Sequence, residues 1–445
     1  MESMIGIIKI NNKTYNTNVI GTKCTVKCDD FENIKKINGK WIIFYCLNDS
    51  LPMEETNYCL FLENIRFINL DVYNFDIVYS YLDRNERIMS ISFGSIALTN
   101  FYNEKFLLSG ENDSEKYLEY INNLMQKNNI YEIHLPFGNY KFIFENSFII
   151  SNEDGLVNNI MPFVPQTLLT IEKENGTIDG QDLCNLIKYF HNFNRFVTLN
   201  KYTKIDCCTI NYEKCTSPIN ILKGYEKTCI YHNGFVFSDF ADCIKIFLEN
   251  NGNFLKHSDN MYPFEEDVIY AYDIVRVSGA FEKIFEKYIE KDNEYINFLN
   301  KIKKEVHFDE FKILVKDFEK RYNLNNNVNF QNMYRNFTRF GTLKQKIDFV
   351  LSKFFIIMGI EAEKIESVGL FYSPTDLSVR FKKARDDISH GLENERTNWY
   401  GASKDLFFVQ QLIHFVILKY KINVPDESIK ETLNRIYHFL NITLK

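Results

Sequence analysis

The sequence predicts an α+β chain, with a β-rich N-terminal region followed by an all-α C-terminal helical bundle. Three observations carry that reading. Short runs rich in Ile, Phe, Tyr and Val, interrupted by Asn, Asp and Gly, fill the first part of the chain. After about residue 262 the apolar spacing becomes helical and turn residues grow scarce. The 445 residues are 45% hydrophobic, with 40 Phe and 27 Tyr, which is enough apolar surface for more than one core. The expected division is a β-rich domain over 1–165, a mixed α/β extension of it over 166–261, and a helical domain over 262–445.

In the first part, strands are expected over 5–10, 41–46, 60–70, 89–98 and 140–150. One helix is expected over 114–127, where Tyr117, Tyr120, Ile121 and Leu124 share a face. Further on, 181–193 and 239–250 read as helices. Between them, Asn233-Gly234 inside an aromatic run predicts a hairpin, because a type I′ turn demands two positive-φ positions. The helical part is expected to contain segments 265–291, 293–306, 310–323, 343–358, 374–389, 403–420 and 427–440. No internal repeat is present.

Charge and cysteine usage narrow the function classes. A net charge of −7 does not fit a protein that coats nucleic acid through bulk charge, so any such contact must be local. The 10 Cys are scattered and no secretory leader opens the chain, which predicts reduced thiols in a cytoplasmic protein. No segment approaches the roughly 20 apolar residues of a membrane span, so no membrane partner is expected. There is no P-loop, dinucleotide fingerprint, nucleophile elbow or HExxH, and no cofactor is expected. Cys207, Cys208, Cys215, Cys229 and His232 lack paired C-x2-C spacing, so buried thiols and a turn histidine explain them better than zinc. His414 and His438 lie on helices among apolar residues and read as core or interface histidines.

The stretch that carries chemistry runs from Ser373 to Gly391. Ser373 is placed to cap a helix, Pro374 to occupy its first position, and Asp376 to meet the positive end of its dipole. Leu377, Phe381, Ala384 and Ile388 form one apolar stripe, and Gly391 is placed to end the helix in a left-handed conformation. His390 therefore falls at the helix C-terminus, where the dipole favours an imidazolium able to donate a proton. Arg385 keeps its charge at any working pH and suits a phosphate. Five residues rotate two side chains by roughly 140° on a helix, so Arg385 and His390 of one chain converge poorly. Two copies about a two-fold axis would supply a compact set of two Arg and two His.

Arg-x4-His followed by Gly, late in a helical bundle, resembles the HEPN superfamily, and the β-rich region preceding it resembles the Apea-like branch. Asp386 matches the polar residue that often follows the motif arginine, and Phe340-Gly341-Thr342-Leu343-Lys344-Gln345-Lys346 leading into a helix fits the same branch. The resemblance implies a metal-independent endoribonuclease acting as a homodimer through the HEPN domain. The substrate 2′-hydroxyl would attack the adjacent phosphate and leave a cyclic phosphate. Arg385 would stabilise the phosphate, His390 would act as general acid or base, and Asp386 would support them. It further implies anti-phage defence by abortive infection, the N-terminal region sensing a phage-derived trigger or restraining cleavage. Some members of the family only bind, so a catalytically silent binding or dimerisation module is the alternative. Candidate RNA-binding residues are Arg380, Lys382 and Lys383 before the motif, and Arg335 and Arg339, which interleave with aromatics. A solvated basic face and inward-packed aromatics account for the same residues.

Overall fold

The structure is a computed structural model, and it describes residues 3–10, 13–20, 23–27, 42–47, 57–69, 72–83, 86–103, 129–150, 163–198, 205–221, 235–251, 271–324, 327–331, 334, 340–359, 376–391 and 399–439. The chain is an α+β protein of two compact units, Met1–Leu255 and Lys256–Lys445. The first described helix of the second unit begins at Ala271. The expected boundary at 165 falls within a strand, Phe163–Lys173, that sits inside a sheet.

The first unit holds two antiparallel sheets. Strands β1 (Met4–Ile10), β2 (Lys13–Ile20), β3 (Lys23–Lys27), β4 (Ile42–Cys46), β5 (Asn57–Asn69) and β6 (Val72–Asp83) pair in the order β6-β3-β2-β1-β4-β5, and β5 pairs again with β6. That last pairing closes a ring and removes the open edges that a sheet would otherwise expose. Period-two alternation puts Ile8, Ile10, Tyr15, Val19, Cys24, Val26, Ile42, Phe44, Leu60 and Leu62 into one shared core. Gly6 marks a close approach: a Cβ there would meet the Tyr45 carbonyl oxygen at 2.1 Å.

The second sheet adds β7 (Ile88–Gly94), β8 (Asn129–Leu135), β9 (Gly138–Ile150), β10 (Phe163–Lys173), β11 (Cys207–Tyr212) and β12 (Thr216–Pro218), in the order β12-β11-β7-β10-β9-β8. β13 (Asn220–Ile221) returns to pair with β6. The expected strand 89–98 is cut short at Gly94, because the Ser95 side chain accepts the Leu98 N–H at 3.0 Å and starts helix α1 (Ile96–Tyr102). Helices α2 (Gly180–Thr198) and α3 (Ile244–Asn251) pack with α1 in an aromatic layer, in which Phe190 stacks on Phe93 at 4.5 Å and Phe247 on Phe240 at 4.1 Å. Of the expected hairpin, Asn233 and Gly234 lie outside the described residues. Phe235 and Val236 do not continue as a strand but lead into a 3-10 turn, Phe237–Phe240, fixed by the Val236 N–H on the Asp239 carboxylate. The expected helix 114–127 also lies outside the described residues.

The second unit is helical: α4 (Ala271–Tyr288), α5 (Asn293–Glu305), α6 (Phe308–Tyr322), α7 (Leu343–Met358), α8 (Leu377–Ser389), α9 (Trp399–Val416) and α10 (Asp426–Phe439). A local cap fixes each end of α7. Thr342 and Gln345 form a reciprocal capping box at the start of α7, and Gly359 ends it at φ 69°. Helix α8 packs against α4, α7 and α9, so it runs through the middle of the unit. His414 on α9 is buried, and its Nδ1 lies 2.8 Å from the Gln410 carbonyl oxygen, as a core histidine should.

Candidate active site

Helix α8 holds the motif. Leu377 and Phe381 are fully buried, Ala384 is buried and Ile388 half-buried, so the apolar stripe anchors the helix in its bundle. Its start differs from the expectation. Helix α8 begins at Leu377, and Asp376 is the N-cap residue itself, in a left-handed conformation at φ 57° without a side-chain cap bond. Its carbonyl, rather than its carboxylate, accepts from the Val379 and Arg380 N–H groups. Ser373 and Pro374 lie outside the described residues.

The end of α8 matches the reading. His390 is the C-cap residue at φ −100° and ψ 4°, its N–H donating to the Asp386 carbonyl at 3.1 Å. Gly391 follows at φ 72° and donates to the Ile388 carbonyl at 3.0 Å. The His390 side chain stands exposed at the negative end of the helix.

Arg385 sits one turn earlier and is 25% exposed, lodged against α4. Its Nη2 lies 2.9 Å from Asp386 Oδ1 and its Nη1 3.8 Å from Glu282 Oε2. Its Nε is buried and has no hydrogen-bond partner among the described residues, and the same holds for Asp387 Oδ2. Asp386 in turn accepts from Lys382 Nζ at 2.8 Å. Burial would raise the Asp386 carboxyl, but the Lys382 hydrogen bond and the charges of Arg385 and Lys382 outweigh it and hold the group below its ordinary value. The result is a chain of alternating charge, Lys382–Asp386–Arg385–Glu282, across the α8–α4 contact. It keeps Asp386 ionised and orients the guanidinium. On an ideal helix a five-residue spacing turns two side chains apart by roughly 140°, so Arg385 and His390 of one chain converge poorly.

The remaining candidates separate by their partners. Arg380 makes a two-pronged contact with Asp405 on α9, at 2.8 Å and 3.1 Å, and the carboxylate is almost wholly buried. That geometry ties α8 to α9 and commits the guanidinium to a structural contact. Lys382 is shared with Asp386, and Lys383 is exposed. Arg335 and Arg339 lie outside the described residues. Of the neighbouring aromatics, Phe330 is buried and Phe340 packs edge-on against Phe308 at 4.6 Å. Cys208 is buried, Cys207 accepts from Gln166 Nε2 at 3.7 Å, and Cys215 donates to Glu86; Cys229 and His232 are outside the described residues.

Sequence reasoning missed Glu282 and Asp405. Each lies far along the chain from its arginine partner, and a single acidic residue on a helix gives no local signal. Compared with known proteins, the chain matches no family model, no curated protein and no solved structure. Among the described residues no helix is long and apolar enough to cross a membrane.

Proposed function

We propose that the helical unit is a metal-independent endoribonuclease of HEPN type. The observation that carries this reading is an exposed histidine at the C-terminal cap of α8, five residues after an arginine that lies between two carboxylates. The substrate 2′-hydroxyl would lose its proton to one imidazole and attack phosphorus. The bond from phosphorus to the 5′-oxygen would break, and a second imidazole, in its charged form, would protonate the leaving oxygen. Arg385 would stabilise the charge gathering on the phosphoryl oxygens. Because the two groups of one helix converge poorly on one phosphate, the reading takes the active form to be a homodimer through the helical unit. By its resemblance to the Apea-like branch, the protein acts in anti-phage abortive infection, and the β-rich unit senses a phage-derived trigger or restrains cleavage.

One observation favours a second reading. The Arg385 guanidinium already lies between two carboxylates, 2.9 Å from Asp386 and 3.8 Å from Glu282, as in a structural ion pair. A catalytically silent binding or dimerisation module would keep that arrangement. Incubation of the full chain with RNA in EDTA separates the two. The nuclease reading expects cleavage that leaves 2′,3′-cyclic phosphate ends and is lost in both Arg385→Ala and His390→Ala. Cleavage that survives in both variants refutes it. An inactive wild type, across RNA substrates and phage-infected extracts, favours the binding module.

A further inference from the structure

Helix α8 carries two arginines that differ in how firmly they are held. Arg380 engages both oxygens of Asp405, at 2.8 Å and 3.1 Å, and that carboxylate is almost wholly buried. Arg385 is held less firmly. Among the described residues its Nη2 lies 2.9 Å from Asp386, its Nη1 lies 3.8 Å from Glu282, and its buried Nε meets no acceptor. A separation of 3.8 Å is beyond hydrogen-bond range, so Glu282 acts on the guanidinium through charge alone. Packing leaves the pair at a rim. Phe281 and Phe285 bury one face of α4, Phe381 and Ala384 bury one face of α8, and the two helices pack together. Glu282 and Arg385 flank these faces with side chains 30% and 25% exposed, so a dissolved anion can reach them.

We propose that Glu282 holds the place of the substrate phosphate on Arg385 in the free protein, and that an RNA phosphodiester must displace it. The inference rests on the assignment of Arg385 to the substrate phosphate in the nuclease reading, and it names the residue that restrains that arginine. The local charges favour exchange over coexistence. Lys382 and Arg385 are matched by Asp386 and Glu282, so an arriving phosphodiester meets no surplus of positive charge and is repelled by Glu282. The two carboxylates are not equivalent. Asp386 is the chain neighbour of Arg385, has the shorter contact and also accepts from Lys382 at 2.8 Å, so it stays. Glu282 comes from another helix and has the longer, half-exposed contact, so it yields. A phosphate oxygen arriving at Nη1 then accepts the charged hydrogen bond that Glu282 does not make. Glu282 is a positioning residue in this scheme: it sets where the guanidinium rests and touches no reacting atom.

The test is fluorescence anisotropy of a labelled single-stranded RNA with 2′-O-methyl riboses, in EDTA. The methyl groups block the attacking hydroxyl, so binding is read without cleavage. The full chain is compared with Glu282→Gln, Arg385→Ala and the variant carrying both. Glu282→Gln keeps the shape of the side chain and removes its charge. It is expected to lower Kd at least about threefold, and that gain is expected to vanish in the Arg385→Ala background. On unmodified RNA the same substitution is expected to lower KM at least about threefold with kcat within about twofold, because a competitor for the phosphate weakens ground state and transition state alike. Glu282→Gln that binds no tighter than wild type overturns the proposal. So does a gain that persists without Arg385, a fall in kcat at unchanged KM, or no binding by either protein up to about 100 µM. The nuclease reading fails separately: tighter, Arg385-dependent binding without cleavage of unmodified RNA keeps the role of Glu282 and removes the enzyme.

Discussion

The buried imidazole of His414 makes the helical unit sensitive to mild acid. Its Nδ1 faces the Gln410 carbonyl, and the ring is almost wholly excluded from water. Burial lowers its pKa from 6.5 to about 4, against an opposing contribution from the Gln410 carbonyl. The folded pKa is depressed, so the unfolded chain binds the extra proton. The contribution to stability is therefore complete above the unfolded pKa of 6.5 and is lost as the pH falls toward about 4. At about pH 5 the unfolded histidine is nearly all protonated and the folded one nearly all neutral. Linkage then gives a loss of about 2 kcal/mol between about pH 7 and about pH 5, approaching about 3 kcal/mol in stronger acid. The assay is urea unfolding followed by tryptophan fluorescence. The chain has two Trp, and Trp399 lies on α9 with His414. In a Trp41→Phe background the signal therefore reports the helical unit. His414→Leu and His414→Gln remove the titrating group, and both are expected to lose about 2 kcal/mol less than the wild type over that interval. An identical pH dependence in the wild type and in both variants would refute the assignment.

Two further predictions test the packing around the site and the closed sheet. Arg380→Ala should cost the helical unit about 2 kcal/mol, because it strips two charged hydrogen bonds from a nearly buried carboxylate. Arg380→Lys should recover only part of that, since an ammonium cannot span both oxygens, and exposed Lys383→Ala should stay within about 0.5 kcal/mol of wild type; equal stability of Arg380→Ala and Lys383→Ala in urea would contradict the Asp405 contact. Gly6→Ala should destabilise the first unit by about 3 kcal/mol, since the added Cβ has the Tyr45 carbonyl at 2.1 Å and the Phe44 ring at 2.6 Å; a thermal melt of that unit unchanged from wild type would show that β1 and β4 are not so closely apposed.

The sequence by itself determined whatever is encoded within a few residues. The change from strands to helices near residue 262, the span of α7 and the His390–Gly391 terminus of α8 are all local, because caps and helical periodicity act over one or two turns. Strands β2, β3, β6, β8 and β10 escaped it; in β2 the Lys, Asn and Thr residues, and in β3 the Lys and Thr residues, dilute the apolar run that marks a strand. Only the tertiary structure decided that β6 returns to β3 and closes the ring, that Arg380 serves Asp405, and that Arg385 is held between Asp386 and Glu282. Hydrogen-bonded pairing and buried ion pairs join residues a hundred or more positions apart as readily as neighbours, and nothing in the local pattern of either partner records the other.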